Sequence, residues 1–340
     1  MLEIYPWQKK QMTRLSTMSS QKRLPHGLLL TGPKGIGLKQ FSLVFAMRIL
    51  CESKETNLEF ACGDCKSCEL FWDRTSKVSS HPDLKFIEVE EDKKFISTTQ
   101  IREMIEYVSL KSFSTNNKVI IINQADIMQR SASAALLKTL EEPPEQSILI
   151  LLSHQHSKLP ITIRSRCHRI DFKPTYDEIA ISWLSENLEN TELSPNLLLH
   201  LTGGGPLRAI ELANEEDLMS RHELVSDLNK LSDKTSNPLK IAAHWHELGA
   251  ENTIFRLLHI FNDLVKLKLT AEKARITNLD LREDLQGLAN TLDLLKLVRS
   301  YDYILLKYRE LTGVMNYSPV SILEEIALFW KNYDATNVES

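Results

Sequence analysis

Four short apolar runs, separated by amphipathic stretches, set the strongest limit on what this chain can fold into. Leu28-Leu29-Leu30, Leu84 to Val89, Val119-Ile120-Ile121-Ile122 and Ile148 to Leu152 are too short for helices, and all but the second lack charge. Such continuous runs suit strands buried on both faces, which is the environment of a parallel sheet. The stretches between them carry helical spacing. Phe41, Phe45 and Ile49 recur every fourth residue. Thr98 or Thr99 is placed to cap a helix through Ile101, Ile105 and Val108, with Arg102 and Glu106 turned outward. Ser131 to Glu142 reads as a helix stopped by Pro143-Pro144. Strands alternating with helices predict an α/β domain: a parallel sheet with helices on both faces.

After about residue 170 the strand pattern ends. Glu178 to Leu188 and Pro195 to Leu201 read as helices, and Gly203-Gly204-Gly205-Pro206 breaks the chain before a helix from Leu207. Long helical segments follow, at Thr253–Leu269, Leu288–Leu311 and Pro319–Tyr333. The expected organisation is three domains: α/β over residues 1–170, a small helical domain over 171–213, and an all-helical bundle over 214–340. The charge divides similarly. Residues 1–170 hold 24 Lys and Arg against 18 Asp and Glu, and the remainder holds 17 against 27. Neither part has a dense basic stripe, which argues against a strong independent hold on DNA. No apolar run approaches membrane-spanning length and MLEIYPWQKK has no apolar signal core, so the expected location is cytoplasmic.

The first run leads into GPKGIGLKQ, residues 32–40. A phosphate-binding loop sits at such a strand-to-helix turn, and Gly32, Gly35 and Gly37 have its spacing. The loop also needs a Lys for the terminal phosphates and a Ser or Thr for magnesium. Leu38 and Lys39 stand there instead. Leu38 is neutral, an ammonium at position 39 repels the metal, and one helical step turns Lys39 by roughly 100° off the phosphate axis. The third apolar run ends in Asn123-Gln124, where nucleotide hydrolases often carry Asp-Glu. Two separate parts of the hydrolytic machinery are missing. The loop is expected to be vestigial, with no functional ATP site.

Four of the five cysteines lie within residues 51–68: Cys51, Cys62, Cys65 and Cys68. Cys62-Gly63-Asp64-Cys65 has the form of a metal knuckle in which Gly63 takes positive φ, and Cys51 returns a fourth ligand from the end of the first helix. Four thiolates with no open position describe a closed, structural zinc site. An iron–sulfur cluster and unligated thiols are the alternatives. His154, His156, His244 and His246 are spaced like ligand pairs but read as surface or interface residues.

Leu136-Leu137-Lys138-Thr139-Leu140-Glu141-Glu142-Pro143-Pro144, followed by Lys158-Leu159-Pro160 and Ser165-Arg166-Cys167, resembles the clamp-loader subunits of bacterial DNA polymerase III, in the AAA+ class. The glycine loop, the four-cysteine insertion and the third strand occur in the order of that family, and the early Tyr5-Pro6-Trp7 is similar to one of its members. The resemblance covers residues 1–170 closely. Beyond them it rests on helical content and Gly205-x-x-Arg208. It implies an AAA+ domain, a helical lid and a helical collar that joins the subunits in a ring. It implies gamma/tau ATPase subunits and the delta subunit as partners, with the sliding clamp and primed DNA reached through the complex. It makes Arg166 an arginine finger, acting in trans on ATP held by a neighbour. Arg208 matches an arginine that normally touches nucleotide in cis, and Ser153 a γ-phosphate sensor. With Leu38, Lys39, Asn123 and Gln124, the implied role is that of a non-hydrolysing subunit. Two other readings stay open: an active gamma/tau-like ATPase, and a zinc-dependent nucleic-acid binder.

Overall fold

The computed structural model describes residues 3–53, 60–71, 81–113, 117–188, 193–213, 220–270, 273–313 and 317–332. The chain forms two compact units, Met1–Glu186 with Gly204–Arg208, and Asn187–Gly203 with Ala209–Ser340.

The first unit is built on five parallel strands: β1 (Gly27–Thr31), β2 (Leu84–Ile87), β3 (Lys118–Ile122), β4 (Ser147–Ser153) and β5 (His168–Asp171). They lie in the order β2-β3-β4-β1-β5, so this is the expected parallel α/β sheet. β1, β3 and β4 are buried along their whole length, which is what their uninterrupted apolar sequences require. β2 stops at Ile87, two residues short of the run read from sequence. β5 is a strand that the apolar pattern does not reveal. Its sequence His-Arg-Ile-Asp buries only Ile170, because it closes an edge of the sheet and needs few apolar groups.

Helices α1 (Lys9–Ser20), α2 (Leu38–Leu50), α3 (Lys66–Phe71), α4 (Thr98–Ser109), α5 (Arg130–Glu141), α6 (Ile161–Arg164) and α7 (Glu178–Asn187) belong to the same unit or end beside it. One core contains Phe41, Phe45 and Ile49 of α2 with Leu28 and Leu30 of β1. A second contains Ile101 and Met104 of α4, Leu136 and Leu140 of α5, and Leu29 of β1. Alternate residues of one strand thus enter different cores, as strand geometry demands when both faces are covered. The cap of α4 differs from the sequence reading. Ser97, not Thr98 or Thr99, accepts the N–H of Gln100, and the Gln100 side chain returns to the Ser97 backbone.

The second unit is helical: α8 (Pro195–Leu201), α9 (Pro206–Ala213, whose start belongs to the first unit), α10 (Ser220–Ser232), α11 (Pro238–Glu247), α12 (Ala250–Thr270), α13 (Arg282–Thr291), α14 (Leu294–Leu311) and α15 (Pro319–Asn332). The segment expected to be one helix from Leu288 to Leu311 is two. Leu292 turns extended, and Asp293 caps α14 by accepting the N–H groups of Leu295 and Lys296. A carboxylate placed there stops one helix and starts the next. Trp245, Trp330 and Phe261 centre the core, with the Phe261 and Trp330 rings edge to face at 4.9 Å. Both indole N–H groups are used: Trp245 donates to Asp227 at 3.2 Å and Trp330 to the Leu228 carbonyl at 3.0 Å.

Candidate functional site

The glycine loop keeps the shape of a phosphate loop while its surroundings are filled by protein. Gly35 and Gly37 have φ of 79° and 88°, values that disfavour side chains. Leu38, first residue of α2, is 2% exposed and joins the core beneath the loop. A side chain buried there contributes roughly 1.5–3 kcal/mol to the fold and no charge to the loop. Lys39 reaches Glu88, just beyond β2, at 2.9 Å and lies over the Phe86 ring. Its ammonium is therefore committed to a surface ion pair.

Two segments hold this loop. Near the N-terminus, the Trp7 indole donates to the Ile36 carbonyl at 3.1 Å, and the buried Gln8 amide donates to Ile36 and Gly37 carbonyls at 2.8 and 3.1 Å. The Tyr5 ring lies so close to Gly37 that a Cβ there would come within 2.6 Å of it. Tyr5 and Trp7 stack at 5.0 Å, and Trp183 meets both edge-on. The second segment is Gly204–Arg208. Leu207 donates its N–H to the Gly35 carbonyl at 3.0 Å. A Cβ on Gly35 would lie 2.4 Å from the Arg208 nitrogen, and one on Gly205 would lie 2.0 Å from the Lys34 carbonyl oxygen. Within the Gly203-Gly204-Gly205 break, read from sequence only as a helix boundary, Gly205 is what allows the two backbones to meet. Arg208 is brought to the loop, and its backbone makes the approach.

Around the ends of the neighbouring strands, Asn123 donates its N–H to the Ile87 carbonyl, and Gln124 takes φ of 55°. Ser153 is fully buried, and its hydroxyl has no partner among the described residues. The Nδ1 of His154 lies 3.0 Å from the Gly32 carbonyl, and His156 contacts Arg169. His244 pairs with Glu223 at 3.1 Å. Among the described residues, none of these histidines joins a cluster with metal-ligand geometry.

The arginine of Ser165-Arg166-Cys167 lies at the opposite end of β1. A Cβ on Gly27, the first residue of β1, would touch the Arg166 carbonyl oxygen at 3.2 Å and the Cys167 sulfur at 3.5 Å. Cys167 is buried, and burial pushes its thiol up to about 12, so it anchors the turn and does not act as a nucleophile. The Arg166 guanidinium donates to the Thr162 carbonyl at 2.9 Å and pairs with Glu141 at 2.5 Å. Glu141 comes from the Leu-Glu-Glu-Pro-Pro string at the end of α5. Both charges are partly solvated, so the pair is worth about 0–1 kcal/mol and is easily exchanged.

The four cysteines converge. Their sulfur atoms lie within 4.8 Å of one another, with Cys51 to Cys62 at 3.4 Å and Cys62 to Cys68 at 3.9 Å. A tetrahedral centre with metal–sulfur bonds of ~2.3 Å requires sulfurs ~3.8 Å apart, so the set fits a four-thiolate metal. Gly63 has φ of 86°, the value that the knuckle needs. The Glu52 and Cys62 N–H groups point at the Cys65 and Cys51 sulfurs, each at 3.4 Å. Hydrogen bonding, led by the Asp64 N–H, draws the Cys62 thiol down to about 7, while burial raises Cys51 and Cys68. Sequence spacing finds these ligands but not what supports them. The Ser67 hydroxyl bridges the Leu50 carbonyl at 2.5 Å and His81 at 2.6 Å, and His81 Nδ1 accepts the Asp83 N–H at 3.0 Å. Burial keeps His81 neutral, as a ring accepting at Nδ1 and donating at Nε2 must be. This relay ties α3 to the end of α2 and the start of β2.

Because the Gly204–Arg208 segment is seated on the loop, Gly205→Ala places a methyl against the Lys34 backbone. The expected cost is about 1–3 kcal/mol, or several degrees of melting temperature. Gly287→Ala, in α13 with open space around it, is expected to gain up to ~1 kcal/mol. Thermal melts of the two variants check this, and a Gly205→Ala chain that melts with the parent contradicts it.

The model of the family described as DNA polymerase III, delta subunit, matches residues 7–176, half of the chain. The model of that subunit's C-terminal region matches residues 215–332. DNA polymerase III subunit delta' of Pseudomonas aeruginosa is 28% identical over 331 residues, covering 97% of this chain and 98% of its own length. The delta' subunit of Escherichia coli is 27% identical over 288 residues, covering 85% of this chain and 83% of its own. The tau subunit of Bacillus subtilis is 30% identical over 200 residues, 57% of this chain and 34% of its own. With both halves matched in order and the delta' relatives aligned along most of their length, the chain belongs to the DNA polymerase III delta family, in its delta' branch.

Proposed function

We propose that this chain is a non-hydrolysing subunit of the DNA polymerase III clamp loader, and that Arg166 acts in trans on ATP held by a neighbouring subunit. Its partners are the gamma/tau ATPase subunits and the delta subunit, and its work in the cytoplasm is to assist ATP-dependent loading of the sliding clamp onto primed DNA. The α/β domain over 1–170, the lid over 171–213 and the collar over 214–340 belong to the same proposal.

The observation that carries this reading is the separation of loop and arginine within one chain. Arg166 packs at the start of β1, while the glycine loop leaves its end. Five strand residues at about 3.3 Å each put roughly 13 Å between those ends, more than an arginine side chain reaches. A guanidinium that serves a phosphate from this position serves one on another chain. A forked, fixed donor set at an interface stabilises charge developing on a transferring phosphoryl group, and such fingers are worth ~10³-fold or more in rate. The weak Glu141 pair parks the side chain at little cost. The competing reading, an active gamma/tau-like ATPase, is favoured by the retained glycine conformations and opposed by buried Leu38, paired Lys39 and the amides Asn123 and Gln124.

Cys51, Cys62, Cys65 and Cys68 would hold zinc as a structural ion. When bound, it supplies a crosslink between the end of α2, the knuckle and α3; no acid–base chemistry is assigned to it.

Reconstitution with an ATP-competent gamma partner tests the finger. Arg166→Ala is expected to leave assembly intact and to slow hydrolysis at the adjacent gamma subunit by ~10³-fold, while Glu141→Gln changes it little. Unchanged hydrolysis in the Arg166 variant refutes the role. Metal analysis of the reduced chain is expected to find about one zinc per chain, lost in Cys68→Ser and kept in Cys167→Ser. Cobalt substitution is expected to give the absorption of a tetrahedral thiolate centre.

A further inference from the structure

The four-thiolate site is buttressed by polar groups that are not ligands. Leu50 ends α2 and immediately precedes Cys51, and Ser67 lies in α3 immediately before Cys68. The Ser67 hydroxyl donates to the Leu50 carbonyl at 2.5 Å. One hydrogen bond therefore joins the residues next to two of the four cysteines, across 17 positions of sequence. Leu50, Ser67 and His81 are only 1, 1 and 2% exposed, so bulk water does not replace these bonds.

The direction of each bond is fixed by its neighbour. The Asp83 N–H can only donate, and it donates to His81 Nδ1 at 3.0 Å. The neutral ring then carries its hydrogen on Nε2, which meets the Ser67 oxygen at 2.6 Å. An oxygen that accepts from the ring keeps its own hydrogen for the Leu50 carbonyl, which can only accept. Behind Asp83, its carbonyl accepts the Val119 N–H of β3 at 2.9 Å. The chain of bonds thus starts on the sheet and ends beside the cysteines. A buried polar chain whose members are paired in this way is rigid.

We propose that Ser67 and His81 are positioning residues for the metal: they fix the Cys51 and Cys68 segments against each other and so raise the affinity of the site. This rests on the reading of the four cysteines as a zinc site and goes beyond it, because neither residue is a ligand. Ligands held in place before the ion arrives lose less freedom on binding it. Hydrogen-bond partners outside a ligand set are worth ~10–100-fold in metal affinity. Here they act on the backbone next to the ligands, with Ser67 touching that backbone and His81 orienting Ser67.

The test measures the zinc affinity of the reduced full chain by competition with a chromophoric chelator, beside thermal melts of the metal-free forms. Ser67→Ala is expected to bind zinc ~10–100-fold more weakly than the parent. The double variant Ser67→Ala, His81→Leu is expected to bind no more weakly than Ser67→Ala alone, because the ring acts through the hydroxyl. A role confined to folding lowers the melting temperature of the metal-free chain and leaves its zinc affinity at the parent value; that result overturns the proposal, as does an additive loss in the double variant. In the parent, where no substitution disturbs folding, long-range ¹H–¹⁵N NMR is expected to place the His81 ring hydrogen on Nε2, and a hydrogen on Nδ1 overturns the relay. A parent that takes up no zinc removes the zinc reading and this proposal with it. Tight binding by the parent, unchanged in Ser67→Ala, overturns the positioning role alone.

Discussion

The backbone contact between Gly204–Arg208 and the glycine loop is the constraint from which the rest follows. Gly205 lies on the Lys34 carbonyl, Arg208 lies on Gly35, and Leu207 ties the two with a hydrogen bond. Neither segment tolerates a side chain at the point of approach. Tyr5, Trp7 and Gln8 hold the same loop from another direction. A loop that cradles phosphate draws its preorganisation from the ligand and from its own glycines. Here protein groups do that work, which is consistent with the loss of the lysine and hydroxyl that a bound nucleotide would use.

That arrangement separates structure from chemistry within the unit. The sheet is parallel throughout, and its three interior strands are buried along their whole length. The Ser-Arg-Cys turn is anchored by buried Cys167 against the first residue of β1. The fold therefore still delivers one guanidinium to a fixed place, far from its own loop and held by a pair weak enough to release. In the role proposed above, the chain keeps a rigid scaffold and applies it to phosphate chemistry on another chain.

Much of this was legible in the residue pattern, for physical reasons that vary by element. β1, β3 and β4 are apolar on both faces, so their sequences announce burial. The cysteine cluster is legible because ligand spacing reflects coordination geometry. β5 was hidden because an edge strand with a single buried residue leaves no run to detect. The break at Asp293 was hidden because a capping carboxylate between two apolar periods looks like an outward-facing helical residue. Gln8, Trp183 and the Ser67–His81 relay act across long sequence separations, which no local period records. The burial of Leu38 turns a missing lysine into a positive structural feature, and only the packed core reveals it.

The central claim, that this chain hydrolyses no ATP of its own, is tested most directly by steady-state turnover of the purified chain alone with magnesium–ATP. The account predicts phosphate release no faster than the buffer blank, with or without primed DNA. Turnover at the 1–100 s⁻¹ typical of enzymatic phosphoryl transfer, abolished by altering the glycine loop, would contradict it.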